Sequence, residues 1–301
     1  MALNPDVYSS AFFVLELDGT QVGTIRNVDG GAVKADLLTY QHGEGGETWR
    51  QLGRTKYDEI KVTAGLVTGG DLWTWINKCM SGAPERRNGA ILAGDYEYHE
   101  KARREFTDAL IAEVQFPKFD ATDKNPANVV VTISAEKISY GKGSGKKLDA
   151  TDATQSRQKS VSCCNFTFEL GGFKDACTRV NKVDGFGVKC KIIEHQVSTR
   201  IESVKVPGKI ELPNITFYVP EIDAQPFLDH HKKNAMDGTR GAPIPSAFLR
   251  FHNNARTQKG EITFKECTIF SVTHDKHDAT SEDIRMVKVE MGIEGIEFSI
   301  S

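Results

Sequence analysis

The chain has 301 residues, a formal net charge of -3, and 26% Asp, Glu, Lys and Arg. That length accommodates two domains of roughly 150 residues, each able to bury a core without staples. The balanced charge has no basic excess that would make nucleic acid the main partner, and the lack of a long apolar run argues against a membrane-spanning helix.

The opening Met1-Ala2-Leu3-Asn4-Pro5-Asp6 lacks the charged start and apolar core of a secretory signal, so none is expected. The first predicted strand places Phe13, Leu15 and Leu17 on one face and Val14, Glu16 and Asp18 on the other. Val28-Asp29-Gly30 then leads to Val33-Lys34, and a Gly-rich stretch follows at His42 to Thr48. Gly53 marks a turn before the strand Ile60-Lys61-Val62-Thr63. The spacing of Leu72, Trp75, Ile76 and Cys79 predicts a helix over Asp71–Met80, with Gly82 as its stop. Trp73 lies off that face. A closing strand sets Val129, Val131, Ile133 and Ala135 on one side.

Residues 141–160, rich in Gly, Ser, Lys, Asp and Thr, read as a linker or long exposed loop. Beyond it the order repeats. Phe166, Phe168 and Leu170 alternate as Phe13, Leu15 and Leu17 do; Val183-Asp184-Gly185 and Val188-Lys189 answer Val28-Asp29-Gly30 and Val33-Lys34. Gly208 precedes Ile215-Thr216-Phe217-Tyr218 at the offset of 155 that separates it from Gly53. A second helix is predicted over Ala224–Met236, with Pro226 in its first turn. Lys118, Asp120, Ala121 and Thr122 return as Lys276, Asp278, Ala279 and Thr280. At an offset of 158 the closing strand maps onto Val287, Val289, Met291 and Ile293. A slip of one residue would turn every side chain to the other face, so agreement in phase means a shared fold and not merely a shared composition. The expected fold class is mainly β: two tandem sandwich or barrel domains, each with one inserted α-helix. The expected boundaries are 1–140, a linker at 141–160, and 161–301.

Few residues invite chemistry. His274 and His277 flank a carboxylate, but a metal needs a further convergent ligand, and a polar turn is the simpler reading. His230 and His231 are adjacent on a helix, about 100° apart, and cannot readily chelate one ion. His42 to Gly46 lacks the spacing of a phosphate loop. Lys101, Arg103 and Arg104 are flanked by Glu100 and Glu105, which reads as a solvated strand edge rather than a nucleic-acid track. The six cysteines contain no C-x-x-C pair and read as reduced thiols. No catalytic residue, metal or cofactor is expected.

The first copy resembles a known family, the tail tube proteins of contractile phage tails and related contractile injection systems. The features that carry it are the strand ending in Asp18-Gly19, then Val22-Gly23 and Val28-Asp29-Gly30. They continue through the His42–Thr48 loop, Leu52-Gly53-Arg54-Thr55-Lys56-Tyr57, Ala64-Gly65-Leu66-Val67 and the Trp73–Trp75 helix. Gly82 with Arg87-Asn88-Gly89, the Phe106 to Pro117 strand and bend, and the closing Val131 to Tyr140 complete it. The likeness spans about residues 10 to 140. The second copy loses the paired tryptophans and most of the Gly-rich loop.

The resemblance implies a non-enzymatic virion structural protein that closes sheets into rings around a lumen and stacks them into a tube. Family rings hold six domains, so a chain with two implies a homotrimer with pseudo-sixfold symmetry. It also implies synthesis in the bacterial cytoplasm and assembly into a virion tail or tail-like particle. Sheath, baseplate and tail-terminator proteins would be partners, with DNA or protein cargo passing through the lumen and no membrane involved. A baseplate hub or tube initiator, joining a sixfold tube to a threefold spike, is the alternative. The residues expected at subunit interfaces are Gly43, Glu44, Gly45, Gly46, Glu47, Thr48, Trp49, Arg50, Arg54 and Trp73.

Overall fold

Alternating apolar residues lay down antiparallel strands throughout the chain, and each strand's buried face decides which neighbours it meets. The structure is a computed structural model that describes residues 12–42, 47–66, 70–149, 161–238, 241–274 and 284–300. Its first half forms β1 (Phe12–Leu17), β2 (Thr20–Gly30), β3 (Val33–His42), β4 (Glu47–Tyr57), β5 (Ile60–Gly65) and helix α1 (Gly70–Met80). Then come β6 (Arg87–Gly94), β7 (Glu100–Gln115), β8 (Phe119–Asp120), β9 (Asn128–Ser134) and β10 (Lys137–Lys142). The second half forms β11 (Phe166–Leu170), β12 (Lys182–Val183), β13 (Gly187–His195), β14 (Val204–Glu211) and β15 (Ile215–Pro220). It ends with β16 (Ile244–His252), β17 (Gln258–His274), β18 (Met286–Gly292) and β19 (Gly295–Ile300).

The first sheet closes on itself. Strands β7, β6, β1, β2, β5 and β9 pair in turn, and β9 pairs back onto β7. The second sheet, in the order β11-β16-β17-β18-β15-β12-β8, is nearly closed. Its break lies at β12, a two-residue strand standing where the first half has the long β2. The strand beside β12 is β8, contributed by the first half, with Phe119 opposite Val183.

The duplication holds at the level of register. In β7–β9, Ile111 faces Ile133 and Val114 faces Val131; in β17–β18, Ile269 faces Met291 and Val272 faces Val289. Each pair of strands carries its bulge at the same place, between Ile111 and Glu113 and between Ile269 and Ser271. Hairpins β3–β4 and β13–β14 match equally well, with bulges between Ala35 and Leu37 and between Cys190 and Ile192. Gly53 and Gly208 lie across from these bulges. A Cβ on Gly208 would come within 2.9 Å of the Lys191 carbonyl, and one on Gly53 within 3.1 Å of the Asp36 side chain. Close backbone approach therefore requires glycine at 208, and the equivalent position 53 is crowded.

The apolar faces meet in one continuous core that runs through both halves. Leu15, Leu17, Val129, Val131, Ile133, Val287, Val289 and Met291 are all buried, as the alternation predicts. Val14 differs from expectation. It is buried too, in a small satellite cluster with Ala90, Leu92 and Leu148, so β1 is covered on both faces. Leu148 belongs to the polar stretch read as the start of a linker. There the backbone is tied down, with Gly143 N–H donating to the Lys101 carbonyl at 2.9 Å and Leu148 N–H to the Tyr98 carbonyl at 2.7 Å.

Helix α1 spans the predicted residues and buries Leu72, Trp75, Ile76 and Cys79. Trp75 Nε1 donates to the Glu85 carbonyl at 2.8 Å, which satisfies its one polar atom in the core. The second helix covers Gln225–His231 and widens into a π turn through Met236. Among the described residues, no helix is long and apolar enough to cross a membrane.

Candidate assembly interface

The two hairpins have the same register and different surroundings. Hairpin β13–β14 of the second half adds to the edge of β7 in the first, with Gly187, Val188 and Lys189 opposite Gln115, Val114 and Glu113. It occupies the stretch of that edge beyond the end of β6. Val188 is thereby 2% exposed. Hairpin β3–β4 forms a two-stranded sheet of its own. Its Val33, the counterpart of Val188, is 43% exposed, and Leu37, Leu38, Tyr40, Trp49 and Leu52 also face solvent. An isolated hairpin with so much apolar surface is marginal in water, and such a patch marks an interaction site.

A buried polar cluster locks the docked hairpin. Lys205, on β14, is almost fully buried. Its backbone N–H donates to Glu136 Oε1 at 2.9 Å, and its Nζ donates to the Ser134 hydroxyl at 3.0 Å. Arg86 bonds the Lys205 carbonyl and lies 3.5 Å from Glu136, while Arg200 lies 3.6 Å from the other Glu136 oxygen. The carboxylate thus pairs with charges from both halves and caps a strand edge at once, as a buried charge requires. Burial pushes the Lys205 ammonium below the usual lysine range, against the opposing pull of Glu194, Glu59 and Glu136.

The far side of the junction is aromatic. Phe116 stacks between Phe186 and Phe298, with ring centroids 4.8 Å away on each side. Trp73 lies 5.5 Å from Phe298 and 6.2 Å from Phe116. Asn77 on α1 bonds the Phe298 backbone twice, donating to its carbonyl at 2.8 Å and accepting its N–H at 3.1 Å. The first half's helix is thereby fastened to the last strand of the second.

The sequence-predicted interface residues divide accordingly. Gly43, Glu44, Gly45 and Gly46 lie outside the described residues, and so does the side chain of Glu47. Thr48, Trp49 and Arg50 are exposed on β4, and Arg54 is partly covered there. Trp73 is only 4% exposed, and the ring that covers it is Phe298 of its own chain. Val188, Lys205, Glu136 and Asn77 escaped the sequence reading.

Elsewhere the suspected chemistry dissolves into pairing. Arg103 bonds Glu16 and lies near Glu100 and Glu105, while Lys101 pairs with Asp95 at 3.1 Å. Arg104 bonds the Gly30 carbonyl and sits over the Tyr140 ring. His230 meets Asn234 and lies edge-on to Phe173. Residues 275–283, which include His277, lie outside the described residues. Among the described residues no three His, Cys, Asp or Glu side chains are grouped to hold a metal.

A closed barrel, a nearly closed copy of it, and a sheet continued from one copy into the next define a β-barrel protein whose two halves join edge to edge. Residues 9–139 match the sequence model of the T4-like virus tail tube protein gp19 family. No curated protein matches the chain. Solved structures similar to it include a chain of the sheath-tube complex of an extracellular contractile injection system (PVC) in the extended state. That chain is 18% identical over 46% of this chain and 93% of its own length, with a TM-score of 0.41. The tube-terminating cap of the anti-feeding prophage is 19% identical over 48% and 95%, with a TM-score of 0.42. Hcp1 from Flavobacterium johnsoniae is 22% identical over 46% and 98%, with a TM-score of 0.28.

Proposed function

We propose that this chain is the inner-tube protein of a contractile phage tail or tail-like injection particle. Three copies form a ring with pseudo-sixfold symmetry, and rings stack around a lumen that passes DNA or protein cargo. Its action is geometric rather than catalytic. It works with a surrounding sheath and with baseplate and terminator proteins. The observation that carries this reading is the junction within the chain. There one tube-like copy completes the sheet of the next by strand addition, while an equivalent hairpin, β3–β4, remains exposed. A chain with one used and one unused contact of the same kind is built to continue head to tail, and such contacts close into rings.

Light scattering and negative-stain microscopy of the purified chain test it. The expected result is a mass of three chains and ring-shaped or tubular particles. A monomer at every concentration and salt would overturn the proposal, and threefold rings that never stack would favour the hub alternative.

A further inference from the structure

The edge of β7 that receives β13 has a counterpart in the second half. By the offset of 158, Glu113, Val114 and Gln115 correspond to Ser271, Val272 and Thr273 on β17. That stretch of β17 pairs with β18 on one side. On the other side β16 reaches only to Cys267, and among the described residues nothing continues beyond it. Phe270, the counterpart of Ala112, is 47% exposed there. Val272 is partly exposed where Val114 is fully buried. The chain therefore presents a free hairpin and a free edge, matching the hairpin and edge that are joined within it. An open strand edge with apolar side chains is a template for another chain.

We infer that β3–β4 of one copy docks on the β17 edge of a second copy, in the register of β13 on β7, with Arg50 against Glu294. This rests on the ring reading above and specifies its chain-to-chain contact. The inner register follows from the two offsets: Ala32, Val33 and Lys34 of one copy face Thr273, Val272 and Ser271 of the next. The charge pair follows from the same mapping. Arg50 faces Thr39 across its hairpin, as Lys205 faces Glu194 across the other. Glu294 matches Glu136 in its backbone bond as well. Glu136 N–H donates to the Thr107 carbonyl and Glu294 N–H to the Lys265 carbonyl, 158 residues apart at both ends. Within the chain, Lys205 at this point of the hairpin is buried with its backbone N–H on Glu136 Oε1, while its Nζ bonds Ser134 and the ion partners of Glu136 are Arg86 and Arg200. Arg50 and Glu294 are both exposed, and among the described residues neither has an ion pair. A basic residue and an acidic residue recur at these two positions in both copies while their burial does not, which is what a contact completed by a second chain requires. Val33, Leu52, Phe270 and Val272 supply the apolar area that the contact covers.

Charge reversal separates this register from the ring reading itself. Arg50→Glu and Glu294→Arg are each expected to raise the concentration needed for assembly at least tenfold. The double variant should return it close to the parent value. Unchanged thermal midpoints would show that each chain still folds. As a second readout, Arg50→Cys combined with Glu294→Cys should give disulfide-linked chains on oxidation, seen as dimers and trimers on non-reducing gels. Rings that form equally well with either single reversal, without crosslinking, would overturn the inferred register and leave the ring reading standing. Single reversals that weaken assembly with no recovery in the double would also overturn the pair. A parent chain that never assembles would overturn both.

Discussion

Hairpins β3–β4 and β13–β14 have the same pairing, the same bulge and a glycine at the same place, yet one is seated and the other bare. The difference lies outside the hairpins. Val188 and Lys205 are buried because β7, Ser134 and Glu136 stand against them; Val33 and Arg50 are exposed because nothing described does. Burial at these positions is a property of the neighbour. Intrinsic strand preference behaves this way in general, since it measures packing against whatever lies across the sheet.

The comparison breaks most sharply at its centre. Val188→Asp puts a charge in a packed junction and should cost about 3 kcal/mol or more. Val33→Asp, at the equivalent site, should change the stability of the single chain by no more than about 0.5 kcal/mol. Urea unfolding of the dilute chain measures both, and equal costs would mean that the two hairpins are not in different environments. Glu136→Ala strips a buried strand edge of its acceptor and should cost about 1–3 kcal/mol. Glu294→Ala, at the exposed counterpart, should leave the urea midpoint of the single chain where it was.

The smallest effect concerns β8, the strand lent to the second sheet. Hydrogen bonds from Lys118 and Thr122 hold Asp120 at a pKa of about 2, below the ordinary 3.8. A depressed carboxylate contributes stability above its unfolded pKa and loses it as pH falls through the folded one. Asp120→Asn should therefore flatten the fall in thermal midpoint between about pH 4 and pH 2, and matter less there than at neutral pH. An identical acid profile in the variant would show that the Lys118 pairing does not stabilise the fold.

Much of this fold was legible because burial within a chain leaves a period. The strands around Leu15, Val131, Phe217 and Val289, and the α1 face of Leu72, Trp75, Ile76 and Cys79, lie where the alternation and the i, i+3, i+4, i+7 spacing place them. Hairpin β3–β4 was less legible, because both of its faces are exposed and no alternation marks it as a strand pair. Trp73 looked like an outward residue because it lies off the helical stripe, and the ring that covers it comes from Phe298, far along the chain. Asn77, Glu136 and Lys205 gave no periodic signal, since their roles come from single hydrogen bonds across the junction. One signal was available for the last two. Aligning the copies at 155 and 158 residues puts a basic residue at both Arg50 and Lys205, and an acid at both Glu136 and Glu294.

The exchange of strands between the halves has a thermodynamic consequence. The first half lends β8 to the second sheet, the second lends β13 and β14 to the first, and α1 is bonded to β19. Neither copy can unfold without stripping a strand from the other's sheet. The two repeats should therefore behave as a single cooperative unit, melting in one transition in calorimetry, with a lesion in either copy lowering the stability of both.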